Sequence, residues 1–394
     1  MTPRTEPPFR ADHVGSLLRP PTLLAARAAH AAGEIDITAL RAAEDEAIRD
    51  VVAMQERVGL QAATDGEFRR TSWHMDFIHR LGGIERTDER IEVRMHGASG
   101  DTAFTSAGIA VRSRVRLDEP IFADDFAFLQ DAVTDPATTR PPRAPRGAAA
   151  PRQIQATPLP KLTIPSPSMV HYRGGTAAVD RSVYPDLDGF WADLSAAYAD
   201  EVRALGDLGC RYLQLDDTSL AYLNDPAQRA AMAARGEDAD HQHLRYIAQI
   251  NAALAGKPAD MRVTTHMCRG NYRSSWAAEG GYDFVAEALF GELAVEGFFC
   301  EFDDERSGGF APLRFVPPGK QVVLGLVTTK RGELEDADVL KRRIDEAAKY
   351  VPLDQLCLSP QCGFSSTVEG NTLSYDEQVA KLELIVRVAD EVWG

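Results

Sequence analysis

The sequence predicts an α/β protein built as a (β/α)8 (TIM) barrel, and three observations carry that prediction. Eight short apolar or β-branched runs each end in polar, chemically capable residues, and amphipathic helical stretches fill most of the gaps between them. No G-x-G-x-x-G follows the first run, which counts against the competing doubly wound sheet.

The runs, in order, are Ala11–Ser16, Gln61–Glu67, Lys161–Ser166, Tyr212–Asp217, Arg262–Cys268, Gly297–Phe302, Gln321–Thr328 and Gln355–Cys362. Runs this short and this apolar suit buried parallel strands better than helices. Between them, Phe190, Leu194, Tyr198, Val202 and Leu205 recur at the spacing of a helix lying on a sheet. Val379, Leu382, Ile385, Val386 and Ala389 repeat the pattern near the C-terminus, and Ile48, Val51, Val52 and Val58 do so before the second run.

The gap between the second and third runs is too long for one helix. A long insertion is expected at about 81–160, within a single domain spanning 1–394. Its alternating stretches Arg90–Met95 and Gly108–Val115 predict an antiparallel hairpin. The Pro-, Ala- and Arg-rich stretch Asp135–Pro160 reads as a loop.

Bulk composition narrows the function classes. With 43 basic and 59 acidic residues the formal net charge is −16, which argues against binding nucleic acid or an anionic membrane. No run of apolar residues is long enough to span a bilayer, and Met1–Pro20 lacks the apolar core of a signal peptide. The five cysteines are too few and too scattered for a disulfide framework, so reduced thiols and a cytoplasmic location are expected.

Chemistry concentrates at the predicted strand ends. His266 and Cys268 are two apart, so their side chains point the same way at the mouth of the barrel. Glu301 ends the next strand and Cys362 ends the eighth. Two thiolates, an imidazole and a carboxylate make a donor set suited to Zn2+. Buried cysteines are also common as small core residues, and Cys210, Cys300 and Cys357 are read that way. Spacing alone leaves both readings open for His266, Cys268, Glu301 and Cys362.

A longer pattern bears on that choice. The segments His13–Ser16 (HVGS), Asp65–Glu67 (DGE), Gln214–Asp217 (QLDD), Thr265–Cys268 (THMC), Cys300–Asp303 (CEFD) and Ser359–Gly363 (SPQCG) occur in one order along most of the chain. In that order they resemble the catalytic half of the cobalamin-independent methionine synthases. The resemblance implies a zinc ion held by His266, Cys268, Glu301 and Cys362, which binds a small thiol and makes it a thiolate for methyl transfer. It implies a homocysteine-like substrate, with its carboxylate on backbone amides around Gly15 and Ser16 and its ammonium between Glu67 and Asp216.

Two departures concern the methyl donor, which is left open among a folate, a corrinoid protein and another small donor. Full-length members carry an N-terminal half that helps accommodate polyglutamylated folate, and 394 residues leave no room for it. The family's proton-donating histidine after the seventh strand is also missing. Gly325–Gly332 offers Thr329 and Lys330 instead, and Lys330 is the candidate catalytic acid or anion contact. Arg269 and Arg273, just past Cys268, are candidate contacts for an acidic co-substrate. Two alternatives stand beside this reading: a zinc-dependent alkyl transferase or carbon–sulfur lyase acting on a different thiol, and a non-catalytic protein with structural zinc.

Overall fold

The computed structural model describes residues 4–97, 100–134 and 157–394. Its strands are β1 (Ala62–Ala63), β2 (Gly82–Met95), β3 (Thr102–Arg116), β4 (Leu159–Pro165), β5 (Tyr212–Asp217), β6 (Arg262–Met267), β7 (Gly297–Glu301), β8 (Gln321–Val327) and β9 (Leu356–Pro360). Seven of these form one parallel sheet in the order β1-β4-β5-β6-β7-β8-β9. Parallel neighbours in chain order need helical crossovers, so the C-terminal ends of all the strands gather on one side. The arrangement is consistent with a TIM-barrel-like fold.

The first two expected strands are much shorter than the sequence suggests. Ala11 makes only an isolated bridge to Leu358, where Asp12 N–H donates to Leu358 O (3.0 Å) and Leu358 N–H to Arg10 O (2.8 Å). Gln61–Glu67 contributes only Ala62 and Ala63 to the sheet. Backbone conformation explains both. Gly15 has φ +142°, Gly66 +67° and Glu67 +61°, values that extended strand cannot contain. Side chains also capture the amides a strand would use: Thr64 N–H donates to Gln55 Oε1 and Glu67 N–H to Asp65 Oδ1 (both 2.9 Å).

The helical stripes lie where their periodicity places them. Leu187–Asp207 starts on an Asp186 cap and buries Phe190, Leu194, Tyr198, Val202 and Leu205. Tyr375–Trp393 starts with a Ser374–Glu377 capping box and buries Leu382, Ile385, Val386 and Ala389. Ile37–Val58 buries Ile48, Val51, Val52 and Val58, then stops at Gly59 with φ +97°. Among the described residues no helix is long and apolar enough to cross a membrane.

In chain order, β2 and β3 fall between β1 and β4 and pair antiparallel, from Gly82↔Arg116 to Met95↔Thr102. This ribbon is longer than the expected hairpin because pairing resumes past an irregularity between Thr87 and Arg90, where the sequence alternation breaks. At one end His96 exchanges backbone hydrogen bonds with Trp276, and farther along Asp180 N–H donates to Val111 O (3.1 Å). Most of the stretch Asp135–Pro160 lies outside the described residues, and Leu159 and Pro160 already belong to β4.

The N-terminal ends of the strands close on a buried polar network. Lys161 Nζ lies 3.2 Å from Asp12 Oδ1, both side chains fully buried, and also donates to His13 O. Asp12 Oδ2 accepts from Tyr212 Oη (2.8 Å) and Phe9 N–H (3.0 Å). The Lys161 ammonium sits over the Tyr212 and Phe299 rings at 4.7 and 4.2 Å.

Candidate active site

At the opposite end of the sheet, backbone register sets up a cluster. His266 lies in β6 opposite Asp216 in β5, and Cys268 N–H donates to Asp217 O (2.8 Å), which carries the strand path one residue past β6. Glu301 is the last residue of β7, and Cys362 follows β9 by two residues. Each of the four side chains is buried, and a ligand atom from each lies within 4.8 Å of the others.

The polar atoms of this cluster are poorly satisfied by protein. Glu301 Oε1 accepts from Arg269 N–H (2.9 Å), but Oε2 has no hydrogen-bond partner, nor does either ring nitrogen of His266 in good geometry. Cys268 Sγ and Cys362 Sγ stand 3.5 Å apart as free thiols. Their contact raises the Cys268 pKa and lowers that of Cys362. Burial pushes Glu301 up to about 7. Lone pairs on two sulfurs, an imidazole and a carboxylate, buried together, fit a divalent cation with a tetrahedral preference.

A cavity opens on this cluster, lined by His266, Cys268 and Cys362 together with Ser16, Glu67 and Asp216. Glu67 Oε1 accepts from Thr163 Oγ1 (2.9 Å) and lies 3.9 Å from Arg70 Nη1. Asp216 Oδ1 accepts from Gln214 Nε2 (2.7 Å). Burial raises both carboxyls, Asp216 to about 7; the Glu67 charge further raises Asp216, and the Asp65 charge further raises Glu67. A cationic group between them would let both ionise. Glu67 holds φ +61°, an unusual conformation for a non-glycine residue, with its carbonyl oxygen tied to Arg19 Nη2 (2.7 Å). Gly15 is required beside it, because a Cβ there would come within 2.7 Å of the Thr163 side chain.

Comparison with known proteins gives this geometry a family. Residues 124–391 match the model of the cobalamin-independent synthase catalytic domain. This chain belongs to the cobalamin-independent methionine synthase family. It is 43% identical to the uncharacterized protein YxjH of Bacillus subtilis, over 98% of this chain and 95% of that one. It is 23% identical to the methionine synthase of Pyrococcus abyssi, over 89% of this chain and 84% of that protein. Among solved structures, the putative vitamin-B12-independent methionine synthase of Listeria monocytogenes covers 99% of this chain and is itself covered in full, with 36% identity and a TM-score of 0.75.

Within this family member, the remaining expected site residues occupy different places. Ser16 lines the cavity, whereas Gly15 packs behind it against Thr163 and Glu67. Lys330 lies outside the lining residues, with Nζ 3.6 Å from Asp303 Oδ2. Burial works against the Asp303 carboxylate, but Lys330 and Arg306 hold its pKa below the usual value. The Lys330 charge also lowers the pKa values of Glu301 and Cys362. Arg269 is fully buried over the Tyr282 ring at 4.4 Å, and neither it nor Arg273 lines the cavity.

Other cavity residues escaped sequence reasoning. The ribbon supplies Val93, Met95 and Phe104, and Phe104 meets Tyr272 at 5.2 Å. Trp73, Arg173 and Tyr222 complete this wall. The alternation around Val93 and Met95 was visible in the sequence, but alternation does not say what a strand's apolar face covers.

Proposed function

We propose that this chain is a zinc-dependent S-methyltransferase that converts a homocysteine-like thiol to methionine or a close analogue. The observation that carries the reading is the convergence of His266, Cys268, Glu301 and Cys362, three of which line a cavity that also presents Glu67 and Asp216. Structural zinc sites are closed, whereas this set faces a cavity with substrate-type carboxylates, which favours a catalytic role. The same reading takes residues 1–394 as one (β/α)8 barrel in which the Ala11 bridge marks a vestigial first strand, with an inserted segment at about 81–160.

In this reading the four side chains hold zinc, which supplies Lewis acidity that keeps a substrate sulfur as thiolate at neutral pH. Glu67 and Asp216 receive the ammonium, and the backbone amides around Gly15 and Ser16 receive the carboxylate. Fixing both ends of the amino acid aims its sulfur toward His266, Cys268 and Cys362 and limits its motion before attack on the methyl carbon.

Lys330 enters as the residue that assists from behind the cluster. To protonate a poor leaving group such as a folate amine it would have to leave Asp303 and enter the cavity. As a charge beside Glu301 it acts from where it stands. Methylated folate is therefore proposed to be a poor donor, and a donor with a better leaving group an efficient one.

The test is mass spectrometry of products after zinc-loaded protein receives homocysteine with methyltetrahydrofolate, methylcobalamin or a methyl sulfonium. Zinc-dependent methionine formation from at least one donor is expected. Absence of methionine with every donor would overturn the reading, and rapid turnover with methyltetrahydrofolate would overturn the donor assignment.

A further inference from the structure

Among the described residues, the Arg173 guanidinium has the Tyr172 ring beside it at 5.9 Å and no carboxylate within ion-pair distance. Arg173 lines the cavity from the last turn of the helix Ser168–Gly174. Its Nε is buried without a hydrogen-bond partner. Arg19, Arg69 and Arg70 share a buried, unpartnered Nε, but acceptors hold their Nη atoms. Arg19 donates to the Glu67 and Arg70 carbonyls, Arg70 to Thr163, and Arg69 to Asp45 and Asp125. A position near a helix C-terminus favours a positive charge, but that weak interaction does not explain why the side chain borders the cavity.

The surroundings place Arg173 away from the amino-acid end of the cavity. The positive charges weighing most on Glu67 are Arg70 and Arg19, and those on Asp216 are His266 and Arg70. Arg173 instead acts on Tyr172, Tyr222 and His74. An α-carboxylate lies within one carbon of its ammonium, so an amino acid held by Glu67 and Asp216 keeps its carboxylate near that end. Around Arg173 the wall is apolar and aromatic, with Trp73, Tyr222 and the ribbon residues Val93, Met95 and Phe104. Arg173 Cζ lies 5.9 Å from the Tyr172 ring, which meets Tyr222 edge-on at 5.8 Å, and Tyr222 lines the cavity together with Cys268.

We propose that Arg173 anchors a carboxylate carried by the methyl donor, so that the donor enters along the ribbon wall with its anionic end fixed and its methyl group turned toward the thiol. A guanidinium facing an apolar wall selects for a fork-shaped anion on a compact body. The inference rests on the methyl-transfer reading and adds the donor's chemical class. With a carboxylated sulfonium as donor the step balances. The homocysteine thiolate forms a bond to the methyl carbon, the methyl–sulfonium bond breaks, and its electron pair leaves with the neutral thioether.

The experiment is calorimetry on the zinc-loaded full chain, with and without saturating homocysteine. Dimethylsulfoniopropionate and trimethylsulfonium are the probes, one with and one without a carboxylate, and methyltetrahydrofolate provides a second carboxylate source. The unmutated protein is expected to bind dimethylsulfoniopropionate at least about tenfold tighter than trimethylsulfonium, roughly 1.4 kcal/mol. Arg173→Gln should erase that preference while zinc content and homocysteine affinity stay unchanged, and Arg173→Lys should keep part of it. Tighter binding of methyltetrahydrofolate than of dimethylsulfoniopropionate, also lost in Arg173→Gln, would support the anchor and assign the carboxylate to a pterin donor. Equal binding of carboxylated and uncarboxylated probes, a preference that survives Arg173→Gln, or weakening of homocysteine instead of the donor would each overturn the proposal. Failure of the thiol reading shows separately, as absent homocysteine binding, and the homocysteine-free arm still tests Arg173.

Discussion

The two ends of the parallel sheet bury comparable polar groups and treat them in opposite ways. At the N-terminal end, Lys161, Asp12, Tyr212 and the backbone of Phe9 and His13 satisfy one another. At the C-terminal end, His266, Glu301 Oε2 and Arg173 Nε lack hydrogen-bond partners. Burial without pairing is costly, so a protein retains such groups where something else supplies the missing interaction. The closed end is therefore read as architecture and the open end as a place for ligands. Exceptions at the closed end are Gln321 Oε1, Arg10 Nε and the His13 ring, the last held neutral because burial and Lys161 push its pKa down to about 4.

The comparison breaks most visibly at the metal. Cys268→Ser or Cys362→Ser is expected to reduce zinc from about one per chain to near zero while the fold stays intact, read by elemental analysis and circular dichroism. Full occupancy in both variants would remove the distinction between the two ends.

The reverse outcome is expected at the closed end. Lys161→Met leaves the Asp12 carboxylate buried without its partner and should cost about 3–5 kcal/mol in denaturant unfolding, with zinc content preserved. A cost below about 1 kcal/mol would show that the network is not structural.

Acid sharpens the same contrast. Unfolded His13 titrates near 6.5 and folded His13 near 4. Between those values the unfolded chain holds the extra proton, so the His13 contribution to stability is intact above pH 6.5 and declines as pH falls toward 4. The nominal loss is about 3 kcal/mol at 1.36 kcal/mol per pKa unit. His13→Gln should flatten that part of the pH–stability curve, and an unchanged curve would contradict the assignment.

The smallest effect concerns the substrate. Glu67→Gln or Asp216→Asn should weaken homocysteine binding by about 1.5–3 kcal/mol and leave its deaminated analogue little affected. Equal loss for both ligands would show that the carboxylates do not read the ammonium.

What the sequence revealed follows from the kind of signal involved. Strand ends were legible because parallel strands are continuous apolar runs, and His266, Cys268, Glu301 and Cys362 stand at or next to three of those boundaries. The stripe of Phe190, Leu194, Tyr198, Val202 and Leu205 was legible because helical period is local. The truncation of the first two strands was not, since it depends on left-handed backbone at Gly15, Gly66 and Glu67 and on amides captured by Gln55 and Asp65. Arg173, Trp73 and Phe104 were missed because their common cavity arises from a ribbon folded back to meet Trp276, a contact between residues far apart in sequence.

The central claim is that the open end takes a metal ion and, through it, a substrate sulfur. X-ray absorption at the zinc edge measures that directly, because it counts sulfur neighbours of the metal. Two sulfurs are expected in the resting protein, from Cys268 and Cys362, and three after homocysteine is added. A count that stays at two while homocysteine is bound would contradict the account.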